Sequence, residues 1–288
     1  MERDIPTQEI DPILEELEDT GADRIAHFLE YQAEKVTHST QVKSYRTGLL
    51  GLDSLIDGFE TGEINVISGP TGNGKTLFAD SIGQRLMRLE KMNIAWFSYE
   101  VPTQKMIDKY VRSFDANELG LYVPMELKAG NVDWLKKKCL QAQLKFNCQA
   151  VFIDHIHFLI DMATKQNMSL NIGGVMRQLK HDIAKTLNIM VFIICHQGQP
   201  KDQEPSIENI RDSSFIGQEA DNVFVVYRSP DPIPDELKGN AKISGYERSY
   251  VQGLATVKVE KSRRAGTYRK KIIFQKKGDW LEEHENFI

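Results

Sequence analysis

Apolar positions along the chain fall into short, dense runs separated by amphipathic stretches. Ile64, Val66 and Ile67 form one such run, mostly β-branched, and predict a buried strand. Leu77, Phe78, Ile82 and Leu86 then share one face at helical spacing. Residues 93–100 predict a second buried strand that ends on an acid, and 151–154 a third that does the same. Residues 189–195 and 222–227 supply two more, with helices predicted over 102–114, 131–146, 170–187 and 213–219. Beyond a polar, proline-containing excursion at 229–249, strands are predicted near 254–260, 268–275 and 279–282, with little helical signal between them. Strands alternating with helices imply an α/β class: a mainly parallel twisted sheet flanked by helices, with right-handed crossovers and an antiparallel finish.

The beginning of the chain reads differently. Asp11 suits a helix N-cap and Pro12 the first helical position; Ile13, Leu14 and Leu17 line one face, and Gly21 closes the helix. A further amphipathic turn or two carries Ile25, Phe28 and Leu29. Residues 37–44 are polar and aperiodic, as in a linker. The expected organisation is therefore a short N-terminal helical arm and linker, 1–44, ahead of one large domain, 45–288.

Composition fits this plan. With 288 residues, 41% of them hydrophobic, the chain can bury one sizeable α/β core. The net charge of −5 argues weakly against nucleic acid, but the sign is segregated. Acidic residues dominate the first forty positions, whereas residues 258–277 hold Lys261, Arg263, Arg264, Arg269, Lys270 and Lys271. Cys139, Cys148 and Cys195 are odd in number and lack metal-ligand spacing, so they read as reduced core thiols. Without a signal peptide or an apolar run of membrane-spanning length, the expected location is cytoplasmic, with no membrane partner.

The chemistry starts at the first strand. Gly69, Pro70, Thr71, Gly72, Asn73, Gly74, Lys75 and Thr76 spell G-x-x-x-x-G-K-T between a predicted strand and a predicted helix, the context a P-loop requires. Its glycines let successive N–H groups curl inward toward phosphate oxygens, aided by the helix N-terminus. Lys75 is expected on the β- and γ-phosphates of ATP and the Thr76 hydroxyl on Mg²⁺. Ligands of an open parallel sheet bind at the carboxyl ends of its strands, where the P-loop, Glu100, Asp154 and His196 should meet. Asp154 suits the second Mg²⁺ partner, through a water, and Glu100 a general base acting on the attacking water. His196, or its neighbour Gln197, suits a γ-phosphate sensor. Lys261 and Arg263, distant in sequence, read either as a solvated basic edge or as an arginine finger.

These residues carry a resemblance to the RecA-type motor domain of the DnaB family of replicative helicases, which includes phage primase-helicases and mitochondrial Twinkle. It spans roughly residues 47–282. Phe97-Ser98-Tyr99-Glu100-Val101-Pro102 is similar to the family's F-S-L-E-M-P, and 151–155 to its phage V-x-L-D-H. The block from Arg211 to Asp221, followed by Tyr227-Arg228, resembles R-[DE]-S-x-x-I-x-Q-D-A-D…Y-R. Lys261-x-Arg263 matches a K-x-R whose basic groups reach a neighbouring subunit's γ-phosphate, and Cys195-His196 matches the phage C-H form.

The resemblance implies a RecA-like P-loop NTPase core and an ATP-dependent replicative helicase. It further implies a homo-oligomeric ring, a hexamer, moving on single-stranded DNA, with the cytoplasm of a phage-infected bacterial cell as its setting. Arg228 would lie near the nucleotide base, and Lys201 and Arg211 would contact DNA phosphates from channel-facing loops. A primase or a helicase loader would be a partner, although only the acidic arm precedes the motor in these residues. Two other readings stay open at this point: a RecA- or KaiC-like recombination or regulatory ATPase, and a nucleotide-gated loading clamp.

Overall fold

Successive side chains of a strand point to opposite faces, so a strand apolar on both faces must be covered on both. The computed structural model describes residues 43–115, 119–128, 131–159, 168–198, 204–210, 213–228 and 253–284. The expected helical arm lies outside the described residues, as do the 229–249 excursion, Lys201 and Arg211.

Element order is β1 (Ser44–Tyr45), α1 (Leu50–Ile56), β2 (Phe59–Glu60), β3 (Ile64–Gly69), α2 (Lys75–Glu90), β4 (Asn93–Ser98), α3 (Thr103–Val111) and β5 (Leu121–Tyr122). Then come α4 (Val132–Phe146), β6 (Cys148–Asp154), α5 (Met168–Gln178), a π-helical segment (Leu179–Lys185) and β7 (Met190–His196). The described chain ends with α6 (Ser213–Glu219), β8 (Asn222–Tyr227), β9 (Leu254–Ser262), β10 (Lys270–Lys277) and β11 (Trp280–Glu283).

The main sheet runs β11-β10-β9-β8-β3-β7-β6-β4-β5. The pairs from β8 through β5 are parallel and those from β8 to β11 antiparallel. This is the expected architecture, a parallel sheet finished antiparallel. On one face, Ile64, Val66, Phe97, Val151, Ile153, Val191 and Ile193 pack with residues of α4, α5 and the π-helical segment. On the other, Ile67, Trp96, Phe152, Phe192 and Phe224 pack under Phe78, Ile82 and Leu86 of α2 and Met106 and Tyr110 of α3. Rings cross that second face in sequence: Trp96 stacks on Phe152 at 4.5 Å and Phe152 on Phe192 at 4.4 Å. Each fully buried ring contributes roughly 2 kcal/mol of hydrophobic stabilisation.

Several boundaries differ from the sequence expectation, each for a local reason. Ser44, which its polar neighbours place in the linker, pairs with Glu60 in the small β1–β2 ladder. The helix expected to run to 114 ends at Val111, and a turn carries Phe114 back onto the Tyr110 ring at 6.2 Å. The 268–275 strand begins at Lys270, because Arg269 adopts φ 53°, a left-handed conformation that a strand cannot continue through. The 170–187 helix starts at Met168 and widens into a π-helix at Leu179. Hydrophobic spacing does not distinguish that widening from a continued α-helix. By contrast, α4 falls close to 131–146 because the Asn131 side chain caps it, accepting from Trp134 N at 2.7 Å.

Candidate functional site

The nucleotide-binding geometry is built at the carboxyl end of β3. Gly69 lies so close to β8 that a Cβ there would sit 2.0 Å from the Val226 carbonyl oxygen. Only glycine fits. Gly74, at φ 96°, turns the chain into α2, and no atom lies within 4 Å of where its Cβ would be. The loop is therefore open on the side that a phosphate must approach. Asn73 fastens the loop in two directions, its Nδ2 donating to Thr71 O and its Oδ1 accepting from Arg228 N at 2.9 Å. That second bond draws Arg228 beside the P-loop. Lys75 is buried and its Nζ donates to Pro70 O at 3.0 Å. Burial pulls its pKa down, and the carboxylates of Glu100 and Asp154 oppose that shift.

Strand register brings the remaining candidates to the same edge. Gly69 pairs with His196, and Ser98 with Asp154. The Thr76 hydroxyl donates to Asp154 Oδ2 at 2.8 Å. Asp154 is fully buried and its Oδ1 makes no hydrogen bond among the described residues. Burial pushes its carboxyl up to about 6, with the Thr76 hydrogen bond working against that rise and Glu100 adding to it. A buried, unsatisfied carboxylate oxygen beside a threonine hydroxyl suits a hydrated Mg²⁺. Glu100 Oε2 lies 3.2 Å from His196 Nε2. Burial first, and the Lys75 charge second, hold the His196 imidazole below its usual pKa, favouring the neutral ring. Gln197, the alternative sensor, is engaged elsewhere: its Oε1 accepts from Ser68 at 3.1 Å.

Lys261 and Arg263 are not at this edge. Antiparallel β9 returns to the start of β3, where Arg263 N donates to Asp221 O and Asp221 N to Ile64 O. Five strand steps, from Ile64 to Gly69, separate that level from the first P-loop residue, about 17 Å at ~3.3 Å per residue. Lys261 Nζ donates to Gly217 O and Ala220 O at 2.7 Å each. Burial and the Arg263 charge hold its pKa below the usual value. Arg263 stays half exposed, with Nη2 donating to Gln218 O at 2.6 Å and Nη1 3.5 Å from Asp221 Oδ1.

The other Asp221 oxygen accepts from Ile64 N at 2.7 Å and pairs with Lys180 of the π-helical segment. One carboxylate thus ties Lys180, the root of the P-loop strand and the Arg263 turn together. In the sequence Asp221 stands out only within a family block, and no pattern around Lys180 singles it out. His155 likewise has no role legible from its neighbours, although its ring meets His196 edge-on with centroids 4.2 Å apart.

The family model of the DnaB-like helicase C terminal domain matches residues 45–119 and 115–283. The chain belongs to this family. Among relatives of the DnaB-like chain, the replicative DNA helicase DnaB of Rickettsia prowazekii is 25% identical over 222 residues, covering 63% of this chain and 45% of that protein. The Geobacillus stearothermophilus DnaB is 22% identical over 219 residues, covering 65% and 48%. The DnaB-like chain therefore spans about half the length of these relatives. Its fold resembles a solved ATPase domain, with a TM-score of 0.66 at 17% identity over 93% of this chain and 100% of that one. It also resembles a DnaB-like replicative helicase whose structure is described with its primase interactions, with a TM-score of 0.66 at 18% identity over 98% and 73%. No helix among the described residues is long and apolar enough to cross a membrane.

Proposed function

We propose that this chain is the motor of an ATP-dependent replicative DNA helicase, a ring-forming ATPase that moves along single-stranded DNA by hydrolysing ATP between subunits. The observation that carries the reading is the separation of two half-sites on one sheet. The P-loop, Glu100, Asp154 and His196 gather at one edge, and Lys261 with Arg263 at the other. Membership of the DnaB-like family supports it and does not favour a recombination ATPase or a loading clamp.

On this reading the P-loop N–H groups hold the phosphates of ATP, and Lys75 leaves Pro70 O to reach them. Thr76 and Asp154 hold Mg²⁺, which when bound neutralises charge developing on the β- and γ-oxygens. Glu100 orients the attacking water and takes its proton. His196, hydrogen-bonded to Glu100, registers whether the γ-phosphate is present. Arg228 borders the base, and Lys261 and Arg263 complete the site of the adjacent subunit. A primase or a loader is the expected further partner.

The direct test is ATP turnover with and without single-stranded DNA, alongside unwinding of a forked duplex. DNA-stimulated turnover and unwinding are expected; strand exchange without unwinding would favour the recombinase instead. Lys201→Ala and Arg211→Ala should each flatten the salt dependence of DNA binding by about one unit of slope or less, leaving ATP affinity unchanged. Unaltered slopes in both variants would move the DNA path elsewhere. For the arm, the apolar face of Ile13, Leu14 and Leu17 needs a surface to rest on, and the neighbouring subunit is the proposed one. Deleting residues 1–36 should then leave a folded, ATP-binding monomer in sedimentation experiments. A truncated chain that still sediments as a ring refutes that role.

A further inference from the structure

Glu100, His155 and His196 each offer a ligand atom, and these atoms lie within 4.8 Å of one another. We propose that these three side chains form a site for one first-row transition-metal dication of the Zn²⁺ class, separate from the Thr76–Asp154 pair, and that filling it halts ATP turnover.

Ligand type points to that class of ion. Two imidazoles and one carboxylate suit Zn²⁺ and its neighbours, whereas Mg²⁺ takes oxygen ligands. Tetrahedral ligands at zinc bond lengths stand about 3.4 Å apart. Glu100 Oε2 and His196 Nε2, at 3.2 Å, already have that spacing. His155 needs to close by up to about 1.4 Å, within the reach of a side-chain rotation. Its ring is held for this: one face stacks on Phe158 at 4.7 Å, and Phe158 stacks on Tyr99 at 5.6 Å.

One further observation favours ligation. The Nδ1 atoms of His155 and His196 are buried and make no hydrogen bond among the described residues. Ligation through His196 Nε2 moves its proton to Nδ1, which has no acceptor among the described residues and so needs a water as its partner. The nearby Lys75 ammonium opposes a second cation, and the Glu100 and Asp154 carboxylates offset it.

Metal binding stands apart from the proposed function, but the halt to turnover rests on Glu100 being the base. A metal holding Glu100 and His196 together takes the carboxylate away from water. The test is a titration of the full chain with Co²⁺ in excess Mg²⁺, followed by visible d–d absorption and then by displacement with Zn²⁺. One tight Co²⁺ per chain with a low-symmetry band is expected. His155→Ala, His196→Ala and Glu100→Gln should each weaken it by at least about 10-fold, a loss already typical of outer-shell partners. Stoichiometric Zn²⁺ should abolish wild-type ATPase activity and a chelator should restore it, while His155→Ala keeps its basal turnover in Zn²⁺. An absent band, or binding that survives all three substitutions, overturns the site. Saturating Zn²⁺ that leaves wild-type turnover intact overturns the halt. Because the absorption reads every variant directly, a His155→Ala chain that fails to fold leaves His196→Ala and Glu100→Gln to decide.

Discussion

Arg263→Ala is expected to bind ATP through its own intact P-loop and to hydrolyse it about 10³–10⁵-fold more slowly, the loss typical of an arginine finger. Arg263 lies level with Ile64 and the P-loop begins at Gly69, so within one subunit its backbone stands about 17 Å along β3 from the loop. The deficit must then be complementable. Lys75→Ala has the opposite defect, a sound finger and a dead pocket. In assemblies mixed from the two variants, some interfaces pair the intact P-loop of an Arg263→Ala subunit with the intact Arg263 of a Lys75→Ala subunit. Those interfaces should recover turnover that neither variant shows alone. Near-normal turnover of Arg263→Ala alone would reduce Arg263 to a solvated edge residue. A dead single variant with no recovery, in mixtures that light scattering shows to be mixed, would mean a role confined to its own subunit. Arg264, one residue on, is held differently: its Nη2 donates to Ile56 O, Asp57 O and Gly58 O, so its loss should lower stability rather than act through a neighbour's site.

Glu100→Gln should retain ATP binding and assembly while turnover falls about 10²–10⁴-fold, the range for losing a general base. The substitution is informative because the amide can still face His196 Nε2, 3.2 Å from the native carboxylate oxygen. It removes the proton acceptor and keeps the shape. Single-turnover assays with bound ATP separate the two effects: affinity should hold and the chemical step should slow. A Glu100→Gln chain that hydrolyses ATP near the native rate would pass the base role to another group.

What the sequence disclosed of this site depended on distance along the chain. Everything from Gly69 to Thr76 was legible because the P-loop is a local structure whose glycines answer local needs, such as the close approach of Val226 O to Gly69. Glu100, Asp154 and His196 were legible one step further, since an apolar run ending in a polar residue locates that residue at a strand's carboxyl end. Their pairing was not, because the 3.2 Å contact of Glu100 with His196 depends on side-chain directions across neighbouring strands. The π-helical segment and its Lys180–Asp221 ion pair left no mark in hydrophobic spacing, because its buried Leu179 and Ile183 stand four residues apart, as they would on an α-helix. The break at Arg269 was equally hidden, since nothing in its composition announces a left-handed φ.

If Arg263 serves a neighbour, as proposed, its place at the opposite end of the strands from the P-loop also restricts which assemblies can work. A two-fold dimer buries the same surface on both partners, so it completes sites only if pocket and finger share one self-complementary patch, and it then stops at two. Where pocket and finger lie on different patches, head-to-tail contact joins them, and such contact has no internal stopping point: it closes into a ring or climbs as a helix. A closed ring of any size has as many complete sites as subunits. An open one has one fewer, with an unused pocket at one end and an unused finger at the other. A ring that opens to admit a DNA strand would therefore idle one site at the gap, and the identity of the idle subunit would report where the strand went in.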